Sequence, residues 1–264
     1  MFSLRLKLDG YRGDAVLDRL VRDAERSLAS LDSALAGTSD GDRRHLIAVA
    51  AERERLFVDR IGQFQRRFNL PAFEDEPASK RRQAADAPDL FFEALQQGLS
   101  LGLTRGLERL ICHLHGLAAP TVPGAGRIRT SQNWIGPSGE GIEAARFVPP
   151  PPALVRQYLE ELEAFLRNDA SLAPLLRCAV AFAQLLDIHP FVDGNGRVAR
   201  LTALVLMRHY KILQYPTLYL PRYTTKYMLK YSETLDIYHM EDKVYPWMIL
   251  FVSIIIEASQ DIRQ

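Results

Sequence analysis

Two apolar helical stretches, about 172–187 and 195–210, flank the segment His189-Pro190-Phe191-Val192-Asp193-Gly194-Asn195-Gly196-Arg197-Val198-Ala199-Arg200. No other feature constrains the fold as strongly. Both stretches read as apolar helices. The loop between them must turn tightly at Gly194 and Gly196, where backbone N–H groups can approach an anion. A helix beginning there offers its first amides and the positive end of its dipole to that anion. Arg197 and Arg200 are three residues apart, project from neighbouring faces of the first turn, and suit phosphate oxygens. Asp193 is an acidic oxygen beside this nest and a natural Mg²⁺ ligand. His189 ends the preceding helix or its loop, and an imidazole with an ordinary pKa of about 6.5 takes a proton from a hydroxyl at neutral pH. Singly, each residue has a blander reading: a turn, a structural histidine, two solvated helix charges. Together they form a phosphate-handling constellation.

Helical spacing of apolar residues continues through most of the chain. It covers 14–36 (Val16, Leu17, Leu20, Val21, Ala24, Leu28, Leu31, Leu35) and 43–65 (Leu46, Ile47, Val49, Ala50, Leu56, Phe57, Ile61). It resumes over 88–118, 153–168, 222–239 and 244–260. Residues 72–89 are rich in Pro, Asp, Glu, Lys and Ala and poor in apolar positions, which predicts a linker. The expected organisation is an N-terminal helical extension over 1–71, a linker over 72–87 and a main domain over 88–264. After Pro123-Gly124-Ala125-Gly126, the stretch with Ile128, Trp134, Ile135 and Gly136 predicts a short β-hairpin at about 127–136. Pro149–Pro152 forms a stiff extended lead into the next helix. The fold class is therefore all-α with one short hairpin.

Charge and cysteine content remove several function classes. Lys plus Arg number 33 against 32 Asp plus Glu, so no global basic field favours nucleic acid. The two cysteines, Cys112 and Cys178, lie in apolar surroundings and read as buried thiols of a reducing compartment, not as a disulfide framework. The N-terminus lacks the apolar core of a signal peptide. The most apolar run, Trp247–Ile256, is far shorter than the ~20 residues needed to span a bilayer. The expectation is a soluble cytoplasmic protein without a membrane partner; export by a leaderless route leaves no mark in such a sequence.

The twelve-residue segment resembles the signature of the Fic family, His-Pro-Phe-x-Asp-Gly-Asn-Gly-Arg-x-x-Arg, at every fixed position. Upstream, Arg129-Thr130-Ser131-Gln132-Asn133-Trp134-Ile135-Gly136 resembles the family's flap hairpin, and Phe147-Val148-Pro149-Pro150-Pro151 its continuation. The resemblance spans roughly 88–260. It implies a Fic-fold helical bundle and transfer of AMP from ATP to a Ser, Thr or Tyr hydroxyl of a protein target, possibly including this chain itself. By the same resemblance His189 is the base, Asp193 holds Mg²⁺, and Gly194, Asn195 and Gly196 form the anion hole. Arg197 and Arg200 bind the β- and γ-phosphates, and Tyr231 belongs to the nucleoside pocket. The flap residues Ile128, Arg129, Thr130, Ser131, Gln132, Asn133 and Trp134 hold an extended target segment by strand addition.

Some positions depart from the family pattern. Many Fic proteins restrain themselves with Ser/Thr-x-x-x-Glu-Gly/Asn, whose Glu pairs with the second signature arginine. Aligned over Glu54–Gly62, that element has Val58 and Gly62 in place of the Ser/Thr and the Glu, so the inhibitory motif is degenerate. Ser253-x-x-x-Glu257 is a looser match on the last helix, with a plain helix-face carboxylate as the alternative. Ser232 stands where Tyr is frequent. Competing readings are transfer of UMP, phosphocholine or phosphate on the same fold, an idle Fic-fold binding protein, and a DNA-binding regulator. Gly196-Arg197 is intact, which favours a nucleotidyl donor; no separate basic helix-turn-helix supports the last reading.

Overall fold

The computed structural model describes residues 11, 13–53, 88–135, 141–168, 171–241 and 243–261. Its helices are α1 (Ala15–Leu35), α2 (40–53), α3 (Pro88–Leu101), α4 (Leu107–Ala118), α5 (Pro152–Asn168), α6 (Pro174–Ile188), α7 (Asn195–His209), α8 (Leu220–Lys226), α9 (Met228–Glu241) and α10 (Tyr245–Asp261). The all-α expectation holds. The linker and the Val58–Gly62 alignment lie outside the described residues.

Caps fix the N-terminal helices. Asp14 accepts from the N–H groups of Val16 and Leu17 and starts α1. Ser39 and Asp42 exchange hydrogen bonds in a capping box that starts α2. The buried stripe of α1, Leu17 through Leu35, packs on α10. A buried hydrogen bond from Ser259 to Ser27, 2.7 Å long, joins these two helices. The N-terminal helices thus share one continuous hydrophobic core with the body.

At the centre, α6 packs against α7, and nearly every residue of α6 is buried. Such a helix has no polar face and must be surrounded. Helices α3, α4 and α5 close one side and α10 the other. The Trp247 indole N–H donates to the Ala179 carbonyl at 2.7 Å, satisfying its polar atom inside the core.

Two predicted helices divide. The 88–118 stretch breaks at Gly102 (φ 57°) and Gly106 (φ 95°), left-handed positions that favour glycine and end α3 before α4 begins. The Glu163 carboxylate caps α4 by accepting from Leu107 N–H at 2.7 Å. The 222–239 stretch breaks at Tyr227 into α8 and α9, where Glu257 of α10 grips both Lys226 and Tyr227. The predicted hairpin reduces, among the described residues, to one antiparallel bridge between Ile135 and Phe147. Among the described residues of this segment, Arg129, Gln132 and Asn133 reach backbone carbonyls through their side chains, and the Arg129 N–H donates to Pro190 O.

Candidate active site

The site is built where α6 stops and α7 starts. His189 caps α6 in the left-handed region (φ 49°, ψ 57°), an uncommon conformation for a residue with a Cβ. Its N–H donates to Leu185 O at 3.1 Å, closing the helix. Its ring Nδ1 lies 3.1 Å from Leu186 O. A carbonyl only accepts, so Nδ1 carries the proton and Nε2 keeps the lone pair. The ring is thereby set in the tautomer of a proton acceptor.

The loop folds through its own side chains. Asn195 Oδ1 accepts from Phe191 N–H, and Asn195 Nδ2 donates to Phe191 O, both at 2.9 Å. The Asn195 amide thus staples the loop from within, and its side chain is committed there, not to a ligand. The Asn195 backbone N–H lies in the first turn of α7. Asp193 Oδ1 accepts from Gly194 N–H at 2.6 Å. Gly194 starts α7 at φ 80°, and a Cβ there would sit 3.2 Å from Ala119 Cβ. The first N–H groups of α7 have no partner within the helix.

Arg197 and Arg200 are half-buried on this first turn. Arg197 Nη1 donates to Ala118 O at 3.0 Å, which aims the guanidinium. The Nε atoms of both arginines are buried without a hydrogen-bond partner. Neither guanidinium has a carboxylate partner among the described residues. Buried donors left without an acceptor are costly to the fold. Glu257 is engaged by Lys226, the last residue of α8, and by Tyr227 beside it, so the structure gives it a local role in joining α8 to α10.

The flap residues divide into two sets. Trp134 is 40% exposed and Thr130 and Ser131 are also exposed, so Trp134 is not a core anchor. Asn133 Nδ2 donates to Phe191 O at 3.0 Å, and Gln132 Nε2 donates to Pro149 O at 2.9 Å. Ile128 is half-buried against the core. Arg129 is only 3% exposed, and its guanidinium bonds to the carbonyls of His189, Ser131 and Pro150. Tyr231 is half-buried, edge-on to Trp247 at 5.3 Å and to Phe182 at 6.3 Å. Ser232 faces Arg146, which also pairs with Asp236 and so ties the flap's return strand to α9.

Sequence reasoning missed His115. It is 1% exposed, on α4, and lies flat on the Phe191 ring with centroids 4.0 Å apart. Its Nε2 donates to Asp193 O at 2.9 Å, while Nδ1 accepts from Gly126 N–H at 2.8 Å. Burial pushes its pKa below the ordinary value, which keeps the ring neutral in this role. On the helical pattern it reads as one more core position. The thiols are inert: Cys178 is fully buried, and burial raises Cys112 to about 11.

These features define a helical protein with a glycine-rich loop and helix start beside a histidine held in one tautomer. Residues 103–207 match the Fic/DOC family. That stretch is similar to the Fic/DOC family over 105 of the 264 residues. The chain is 40% identical over 87 residues to protein adenylyltransferase fic-1 of Caenorhabditis elegans, a match covering 32% of this chain and 15% of that one. It is 32% identical over 99 residues to protein adenylyltransferase Fic of Drosophila virilis, covering 37% and 18%. The chain thus matches less than a fifth of the length of these curated relatives. Among solved structures, a Fic family protein from Desulfovibrio desulfuricans G20 superposes with TM-score 0.66 at 18% identity, covering 94% of this chain and 74% of the other. Fic-1 of C. elegans superposes at 0.58 with 19% identity, covering 94% and 72%. These structures establish the shared fold. No helix among the described residues is long and apolar enough to cross a membrane.

Proposed function

We propose that the protein is an adenylyltransferase that moves AMP from ATP to a Ser, Thr or Tyr hydroxyl of a protein target. The observation that carries this reading is the pair of buried, unpartnered guanidinium Nε donors of Arg197 and Arg200 on the first turn of α7. They supply fixed positive charge and N–H donors to a polyphosphate. The names of the curated relatives support AMP as the transferred group.

In this reading His189 Nε2 accepts the proton of the target hydroxyl as its oxygen bonds to the α-phosphorus. The bond from that phosphorus to the bridging oxygen breaks, and pyrophosphate leaves with its electron pair. The N–H groups of Asn195, Gly196 and Arg197 stabilise the charge that builds on the phosphoryl oxygens. The guanidinium groups of Arg197 and Arg200 hold the departing phosphates.

Among the described residues no cluster of three or more metal-binding side chains occurs, and Asp193 is the carboxylate at the loop. Mg²⁺ is held by one or two carboxylates with the rest of its shell from water and substrate phosphates, so Asp193 fits an ion that arrives with the nucleotide. When bound, the ion would neutralise phosphate charge. The exposed Thr130, Ser131 and Trp134 offer the surface for the target segment.

Incubation with ATP labelled on the α- or the γ-phosphate tests the reaction. Label from the α-position alone should reach protein, and His189→Ala should abolish it. Transfer of the γ-label, or α-label transfer that survives His189→Ala, defeats the reading.

A further inference from the structure

We propose that Arg129 is a positioning residue that locks the flap to the base loop and thereby sets the direction of the His189 ring. This rests on the reading of His189 as the base. The Arg129 main-chain N–H donates to Pro190 O at 2.9 Å. Its side-chain Nε donates to His189 O at 2.8 Å, and Nη2 reaches Pro150 O at 2.5 Å and Ile188 O at 3.5 Å. Its Nη1 donates to Ser131 O at 3.1 Å. One side chain thus joins the end of α6, the flap and the proline lead into α5.

Burial alone drives the Arg129 pKa down, yet a guanidinium stays charged in proteins. Its charge is offset by carbonyl dipoles, among them those that end α6, where helix geometry favours a cation. This is the element that holds His189 in its left-handed conformation. A non-glycine residue there is strained, and such strain persists only when neighbours over-determine it. The Nε bond falls on the His189 carbonyl itself, so rotation of the His189 backbone would break it. The same guanidinium holds the chain that leads to Thr130 and Ser131. Base and target-holding segment are therefore set in one frame, as a transfer reaction requires. Lysine cannot reproduce this. Its single ammonium lacks the planar fork needed to reach carbonyls on both sides at once.

Arg129→Lys tests the role. The expected outcome is unchanged ATP affinity within about twofold, with kcat for transfer reduced about 30-fold or more. In ¹⁵N spectra of labelled histidine, the His189 ring shifts from one protonated nitrogen toward an average of the two tautomers. A merely structural residue would lower ATP binding and transfer together, in step with the fraction folded, and would leave the ring's tautomer untouched. Retention of kcat within threefold, or unaltered ring signals, overturns the proposal. In the unmutated protein the Arg129 Hε proton should exchange with solvent as slowly as the last amides of α6; rapid exchange also overturns it. If wild-type protein transfers nothing from ATP, the adenylyltransferase reading fails by itself, while the ring signals and the exchange rate still decide the position of Arg129.

Discussion

His115 Nε2 donates to the main-chain carbonyl of Asp193 at 2.9 Å, across 78 residues of sequence. The bond anchors the loop at the residue that precedes the α7 turn. Phe191 lies flat beneath the same ring, so the loop is clamped by a hydrogen bond and a stack together. His115→Ala should remove both and leave a cavity, destabilising the protein by about 2–4 kcal/mol. Urea unfolding of the two proteins measures this.

The same histidine predicts a pH dependence. In the folded protein its pKa lies below its ordinary 6.5, chiefly because burial disfavours the charged ring. The unfolded chain therefore binds the proton more readily. Its contribution to stability is complete above pH 6.5 and is lost as pH falls from there toward the lowered folded value. Melting temperatures should drop between pH 7.5 and 5.5, and the drop should be smaller in His115→Gln.

Gly194 occupies φ 80° at the start of α7, and an added Cβ would stand 3.2 Å from Ala119 Cβ and 3.3 Å from His115 Nε2. Gly194→Ala should cost about 1–2 kcal/mol of backbone strain and push His115 from its place. The expected result is a lower melting temperature together with weaker ATP binding in calorimetry.

Arg197 and Arg200 are expected to behave differently from the loop's braces. Their Nε donors are buried without a partner, and Arg200 makes no side-chain hydrogen bond among the described residues that its loss would remove. Arg200→Ala should leave stability within about 1 kcal/mol of wild type. ATP affinity should fall by about 10-fold to 100-fold, the loss expected for charge-assisted bonds to phosphate. Calorimetry paired with thermal melts separates these effects.

Glu257 pairs with Lys226 and Tyr227, and its hydrogen bonds raise the pKa of both partners. Glu257→Gly should therefore loosen α8 against α10 without raising self-modification. Intact-mass measurement after incubation with ATP and Mg²⁺ checks this; a many-fold rise in AMP adduct would restore an inhibitory role to Glu257.

Much of the molecule follows from local pattern. Helical periodicity placed α1, α5, α6, α7 and α10 within a few residues of their ends, because burying one face of a helix is written in the spacing of its apolar residues. Breaks at Gly102 and Gly106 are local in origin too, but a helical window runs over them, since isolated glycines are tolerated in such patterns. The loop from His189 to Arg200 declares its turn and its charges in consecutive residues. What tertiary structure alone decided is which distant side chains hold that loop. His115 and Arg129 come from 78 and 60 residues upstream and bond to main-chain carbonyls. Every residue carries the same carbonyl, so no pattern of side chains announces which one a buried donor will meet. Only the packing of α4 and the flap against the end of α6 brings these donors within reach, and the same packing turns Arg129 from a surface contact into an internal brace.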